Sequence, residues 1–251
     1  HERIKTMQQI VLFCFFIVIL IVLLLLIVIK LKLSYGLKSD SKEYAEKNFK
    51  IGNMQLLGNC QQQNDYFAIE QDKDTVFTVI ADGLTDLPSG KFASVIAVET
   101  MKYNYHHMIN YSGLLDYFKQ SFQDIEESMS RNITGNKIGV AVLCGMITGK
   151  TLKWAAIGGC SLYLYRKGEI FSVNNNASTD TAMEYGSIKC KKKDVLLFCT
   201  EGIYKGVSEL ELKEILSKKE HSYKKAMLLS RTIQQKGYTH QKNATAIIIE
   251  I

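Results

Sequence analysis

Residues Ile10–Ile29 form an unbroken run of twenty apolar side chains with no charge, proline or glycine. As a helix rising about 1.5 Å per residue, the run is roughly 30 Å long, the thickness of a bilayer's hydrocarbon core. A cleaved signal peptide would have an apolar region of only about 7–15 residues, ending in small residues. Here Lys30-Leu31-Lys32-Leu33 follows instead, so the sequence predicts a retained, single-pass transmembrane helix. Lys and Arg near a span stay on the cytoplasmic side. Arg3 and Lys5 precede the span, whereas Lys30, Lys32, Lys38, Lys42 and Lys47 follow it. The C-terminal region is therefore expected in the cytoplasm, and the asymmetry grows if translation starts at Met7.

The expected organisation is a short tail (1–9), the transmembrane helix (10–29), a basic juxtamembrane linker (30–48) and one domain (49–251), long enough to bury a single sizeable core. The six cysteines show no CxxC pairing and no zinc-ligand spacing. Most lie in apolar stretches, where a free thiol behaves as a small hydrophobe, as suits a reducing compartment. N-x-S/T triplets at Asn110, Asn132, Asn176 and Asn243 would fit glycosylation outside the cell, but such triplets arise by chance in an Asn- and Ser-rich chain. The net charge of +6 is spread out, with Lys189 and Lys191–Lys193 the densest run, which reads as a solvated turn. Without aromatic interleaving or a glycine-rich phosphate loop, nucleic acid is not an expected partner.

Beyond the linker, short apolar runs alternate with turn residues. The pattern predicts strands over Tyr66–Glu70, Thr75–Ala81, Ile138–Thr148, Leu152–Ile157, Leu162–Arg166, Glu169–Val173, Val195–Cys199 and Ala244–Ile251. It predicts helices over Lys91–Tyr105, Ser112–Ser130, Ser208–Lys218 and Ser222–Gln235. Strands interrupted by paired helices suggest an α+β fold of two packed sheets flanked by helices.

Three acids fall at the ends of apolar strands: Asp65 before Tyr66, Asp82 after Ala81 and Glu201 after Thr200. A carboxylate at the end of a buried strand needs a cation or a donor, so convergence of these ends would make a hard-cation site. Spacing alone does not establish convergence, since Asp82-Gly83 and Glu201-Gly202 are also ordinary turn formers. His106 and His107 are adjacent and face different directions on a helix, which argues against joint metal ligation.

The order of the segments adds information. Gly58–Phe67, Ile80-Ala81-Asp82-Gly83, Gly90-x-x-Ala93-Ser94, Leu152–Gly168, Asp194–Gly202 and Lys242–Ile251 together resemble the metal-dependent type 2C protein phosphatase (PPM) family over nearly the whole region after the linker. The resemblance implies a type 2C phosphatase-like β-sandwich of two sheets flanked by helices, here preceded by one transmembrane helix. It also implies a two-metal site in which Mn²⁺ or Mg²⁺ activates a water against a phosphoserine or phosphothreonine, with no covalent intermediate. Carried over residue by residue, Asp82 and Gly83 keep metal-ligand positions. Asp65 keeps an acid beside the metal waters.

The other positions depart from the family's pattern. Cys60 stands where the family has a phosphate-binding arginine, and a thiol can neither charge-pair nor fork to a phosphate. Asn64 replaces an acid or glutamine, and Gly159 replaces an aspartate. Thr85 and Asp86 replace a glycine pair. Glu201 keeps the charge of an aspartate on a longer arm, and Lys242, next to Asn243, replaces the last aspartate of the cluster. At about 4 Å and an effective dielectric near 20, a unit charge pair is worth about 4 kcal/mol. Exchanging an anion for a cation beside a divalent ion therefore disfavours metal strongly, and Lys242 is expected to pair with Asp82 and Glu201 in place of one metal.

Two functions follow. The first is a membrane-anchored pseudophosphatase with a depleted metal site, holding Mn²⁺ or Mg²⁺ only if a metal is retained at all, and acting as a binding or regulatory subunit for a protein partner such as a phosphoprotein or a kinase. The second is an active, Mn²⁺- or Mg²⁺-dependent serine/threonine phosphatase tethered to the membrane, with Asp65 and Asp82 catalytic and Asp82, Gly83 and Glu201 on the metal.

Overall fold

The computed structural model describes residues 49–84, 88–132, 139–175 and 182–251, which fall within one compact unit, Asn48–Ile251. The apolar run Ile10–Ile29, the linker, Thr85 and Asp86 lie outside the described residues. Among the described residues, no helix is long and apolar enough to cross a membrane.

Among the described residues, ten strands form two five-stranded sheets. The strands are β1 (Lys50–Leu56), β2 (Asp65–Gln71), β3 (Thr75–Gly83), β4 (Val140–Thr148), β5 (Thr151–Ile157), β6 (Ser161–Arg166), β7 (Glu169–Ser172), β8 (Glu184–Lys189), β9 (Val195–Cys199) and β10 (Ala244–Glu250). One sheet has the order β1-β10-β9-β6-β7 and the other β2-β3-β4-β5-β8, with all neighbours antiparallel. The helices are α1 (Pro88–His106), α2 (Leu114–Asn132), α3 (Glu201–Gly206), α4 (Glu209–Ser217) and α5 (Ser222–Lys236).

Three apolar layers explain the strand sequences. Between the sheets, Ile80, Leu143, Ile147 and Leu152 meet Leu162, Leu196, Phe198, Ile247 and Ile249. Outside the second sheet, Phe77, Val79 and Ala81 face Ala97, Val98, Met101, Tyr117 and Phe118 of α1 and α2. Outside the first, Leu197, Ala246 and Ile248 face Leu212, Ala226 and Leu229 of α4 and α5. Central strands covered on both faces require continuous apolar runs, as in β3, β4, β9 and β10. The edge strand β8 alternates between half-buried and exposed residues.

The hairpins carry their turn chemistry openly. Lys167 (φ 52°) and Gly168 (φ 88°) form a two-residue connection between β6 and β7 with both residues left-handed, the conformation that matches strand twist. Ser208 caps α4 through a reciprocal box with Glu211.

Three elements were not legible in the periodicity: β1, whose KIGNMQL lacks alternation, the edge strand β8, and the six-residue helix α3. Gly52 shows why β1 is irregular, since a Cβ there would lie 2.3 Å from the Ser222–Tyr223 backbone. The strand thus admits α5 at close range.

At Gly145, in the middle of β4, an added Cβ would meet the Phe198 ring at 2.6 Å. The missing side chain leaves room for that ring against the opposite sheet. Gly145→Ala is expected to lower stability by about 1–3 kcal/mol through overpacking, measured by urea unfolding.

Candidate functional site

The acids predicted from the sequence meet at one end of the sandwich. Asp65 opens β2 directly opposite Asp82 near the end of β3. Asp65 is 2% exposed. Its Oδ2 accepts hydrogen bonds from Thr200 Oγ1 and Thr245 Oγ1, each at 2.7 Å, and the Thr245 N–H donates to Thr200 Oγ1 at 3.0 Å. The two bonds to Asp65 cross from one sheet to the other, because Thr245 lies in β10 and Thr200 between β9 and α3.

The second Asp65 oxygen, Oδ1, is buried without a hydrogen-bond donor, and the Asp82 carboxylate is near enough to act on Asp65. Burial, and then the charge of Asp82, pushes the Asp65 carboxyl up to about 7. Asp82 is raised as well, first by burial and then by Glu201, against the opposing influence of Lys242 and of the Glu201 N–H, which donates to its carboxylate. A proton held between the two carboxyls relieves the repulsion of like charges sharing a site.

Glu201 opens α3 rather than ending a strand. Its Oε2 accepts from the Lys242 ammonium at 2.6 Å, and its Oε1 pairs with Lys205 one helical turn later. Burial works upward on Glu201, but the two lysines outweigh it and hold the carboxyl below its ordinary range. Lys242 thus bonds to Glu201 while acting on Asp82 through its charge.

The glycines and amides of the predicted motifs shape the backbone here. A Cβ on Gly83 would lie 2.0 Å from the Gly90 carbonyl oxygen, and one on Gly202 would lie 2.0 Å from that of Asn243. Asn243 donates to the carbonyls of Leu57 and Gln62 at 2.8 and 3.1 Å and accepts from the Asn64 N–H at 2.8 Å. It therefore holds the β1–β2 loop against the start of β10. Cys60, Asn64 and Lys242 line one cleft of about 460 Å³ in that region, together with Asn59, Gln62 and His240. Gly159 lies apart from it, in the turn between β5 and β6. His106 bonds to Glu70 at 3.0 Å while His107 stacks on Tyr103, so the two histidines serve different partners.

Sequence reasoning missed Thr200, Thr245 and Lys205. The signal for Lys205 was its i,i+4 spacing from Glu201, which counts only if Glu201 opens a helix. The two threonines gave no local signal, because their common partner is 135 and 180 residues away.

The sequence matches no protein-family model and no curated protein. The fold, however, is that of the type 2C serine/threonine phosphatases. The S. agalactiae serine/threonine phosphatase superposes with a TM-score of 0.73 at 14% identity, over 81% of this chain and 99% of that one. The M. tuberculosis phosphatase PstP/Ppp gives 0.68 at 14% identity, over 81% and 98%. The PstP catalytic domain solved with two manganese ions gives 0.66 at 14% identity, over 80% and 97%.

The residues present do not fit a two-metal centre. Both Glu201 oxygens are engaged by ammonium groups, and Asp65 Oδ2 is saturated by two hydroxyls. Among the described residues, no group of three or more His, Cys, Asp or Glu side chains is placed to hold a metal ion.

The raised Asp65 carboxyl sets a pH dependence. Because its folded pKa lies above the unfolded value, its stabilising contribution is complete below about 4 and is lost as pH rises through about 7. Asp65→Asn keeps an acceptor for the threonines and supplies a donor to Asp82. In thermal melts with chelator present, this variant is expected to lose the pH dependence between about 4 and 7 and to exceed wild type above pH 8 by on the order of 2 kcal/mol.

Proposed function

We propose that this chain is a membrane-anchored type 2C phosphatase-like protein that has lost turnover and works as a binding or regulatory subunit. The span Ile10–Ile29 holds it on the membrane with its C-terminal domain in the cytoplasm, and its partner is a protein, such as a phosphoprotein or a kinase. The observation that carries this reading is the capture of Glu201 between Lys242 and Lys205, where a phosphatase with two metals would place a cation. The absence of an arginine at Cys60 supports it, since the cleft then has no planar, bidentate phosphate clamp.

Solved relatives of this fold include the PstP domain with two manganese ions and RsbX with magnesium, so the same frame can hold ions when its ligands allow. In this chain two positive charges do part of that work. Lys242 and Lys205 neutralise Glu201 and offset the repulsion on Asp82, leaving the Asp65–Asp82 pair to share a proton.

The test is calorimetric titration of Mn²⁺ and Mg²⁺ into the full-length chain and into a Lys242→Asp, Glu201→Asp double variant, with a phosphopeptide turnover assay alongside. The expected outcome is no wild-type binding at millimolar metal, binding by the variant, and no wild-type turnover. Wild-type Mn²⁺ binding with turnover that Asp82→Ala abolishes would overturn the proposal and establish the alternative, an active tethered phosphoserine/phosphothreonine phosphatase.

A further inference from the structure

The carboxylate site occupies one end of the sandwich, and strand register fixes what lies at the other. There β2 turns into β3 at Asp72–Asp74, β4 into β5 at Gly149–Lys150, and β6 into β7 at Lys167–Gly168. The segment Lys189–Asp194 passes at this end from β8 in one sheet to β9 in the other. Here too β1 begins and β10 finishes, since Lys50 pairs with Glu250. Hydrogen bonds tie these pieces into one surface. The Cys190 N–H donates to the Lys150 carbonyl at 2.8 Å, the Lys193 N–H to the Ile251 carbonyl at 2.9 Å, and Arg166 Nη2 to the Lys189 carbonyl at 2.9 Å.

The surface is strongly basic. Lys150, Lys167, Lys189, Lys191, Lys192 and Lys193 are all exposed, and none of them forms an ion pair among the described residues. The acids nearby are taken up by other cations. Arg166 grips both oxygens of Asp194 at 2.9 and 2.6 Å, Lys213 holds Glu169 at 3.0 Å, and Lys225 and Lys50 flank Glu250. Asp72 and Asp74 bracket Lys73 in a single turn, which leaves the excess of lysine intact. Among the described residues, the two non-glycine positions with positive φ are Lys167 at 52° and Lys193 at 74°. Such a backbone favours glycine, so turn geometry does not account for the lysines. None of the exposed large apolar side chains lies in these turns.

We infer that this end of the domain rests on an anionic lipid surface, with its lysines against the headgroups. The inference rests on the membrane-anchored reading of Ile10–Ile29. What selects lipid as the occupant is the point of entry of the chain: residues 30–48 lead from the apolar run into β1 at this end. Even fully extended, that stretch reaches only about 65 Å. A tether of this length keeps the basic surface at high effective concentration beside the bilayer. Attraction of about fivefold per lysine near an anionic leaflet is then enough to hold it down. Compact ammonium charges spread over three turns match a layer of headgroups, whereas recognition of a single phosphate favours a converging fork. Contact through charge without apolar insertion makes the adhesion sensitive to salt. The carboxylate end then points away from the bilayer, toward a cytoplasmic partner.

The experiment places the full-length chain in nanodiscs of phosphatidylcholine, with or without phosphatidylserine, and maps lysine acylation by mass spectrometry. Lys150, Lys167 and Lys191–Lys193 are expected to be protected severalfold in the anionic discs, with Lys91 and Lys119 unchanged and the protection lost in molar salt. A Lys191→Gln, Lys192→Gln, Lys193→Gln variant is expected to lose the protection at Lys150 and Lys167 while its melting temperature stays near that of wild type. Labelling that does not differ between the two kinds of disc, or undiminished protection in the variant, overturns the inference and leaves the anchor standing. Copurification with neither disc overturns both. Copurification with anionic discs alone, with the same lysines protected, supports the basic surface and overturns the anchor. Protection by a polyglutamate peptide but not by anionic lipid overturns the inference and assigns the surface to an acidic protein.

Discussion

The end of the sandwich that carries the site is tied together by one carboxylate. Asp65 belongs to one sheet, and the hydroxyls of Thr200 and Thr245 that saturate its Oδ2 belong to the other. Apolar packing holds two sheets face to face without fixing their offset, whereas two short polar contacts in a buried place do fix it. The position of Glu201 follows, because α3 starts immediately after Thr200. So does the position of Lys242, three residues before Thr245. The approach of Asp82 to the cluster then follows from β2–β3 pairing, with the Glu201 N–H as a second tie.

Within that frame the charges lie close enough to neutralise one another. Two ammoniums sit on one carboxylate that is only partly buried, while burial and mutual repulsion push two deeper carboxyls upward. Burial makes each uncompensated charge costly, and the chain answers with lysine at the rim and protonation below it. Cys160 fits the same logic. It is a fully buried thiol donating to the Ala141 carbonyl at 3.6 Å, and burial, reinforced by Asp82 and Asp65, keeps it neutral.

Much of this was legible from residues alone. Val195–Cys199 reads as a strand because all five side chains are buried, and a run covered on both faces leaves a continuous apolar signature. The helix Pro88–His106 extends a few residues beyond the expected Lys91–Tyr105, and Ser222–Lys236 runs one residue beyond expectation to a left-handed Gly237 cap. What the sequence concealed has a common cause. β1 is paired to β10 along its whole length but is shaped by the close approach of α5, and α3 is too short to show a period. The Asp65 clamp joins residues far apart in the chain, and no local pattern encodes such a contact. Asp65, Asp82, Glu201 and Lys242 could be singled out from their strand-end positions and from the family's order of segments. The pairing of Lys205 and the latch formed by Asn243 required coordinates.

The close approach of Gly202 to the Asn243 carbonyl carries a consequence for reading other chains of this shape. The glycine after Glu201 is demanded by backbone crowding between α3 and β10, whatever chemistry the neighbouring acid performs. Gly83 is under the same constraint from Gly90. Acid–glycine pairs at these two corners therefore identify a scaffold. A survey keyed to them would collect chains by their backbone, whatever residues face the carboxylates, Lys242 in this chain among them.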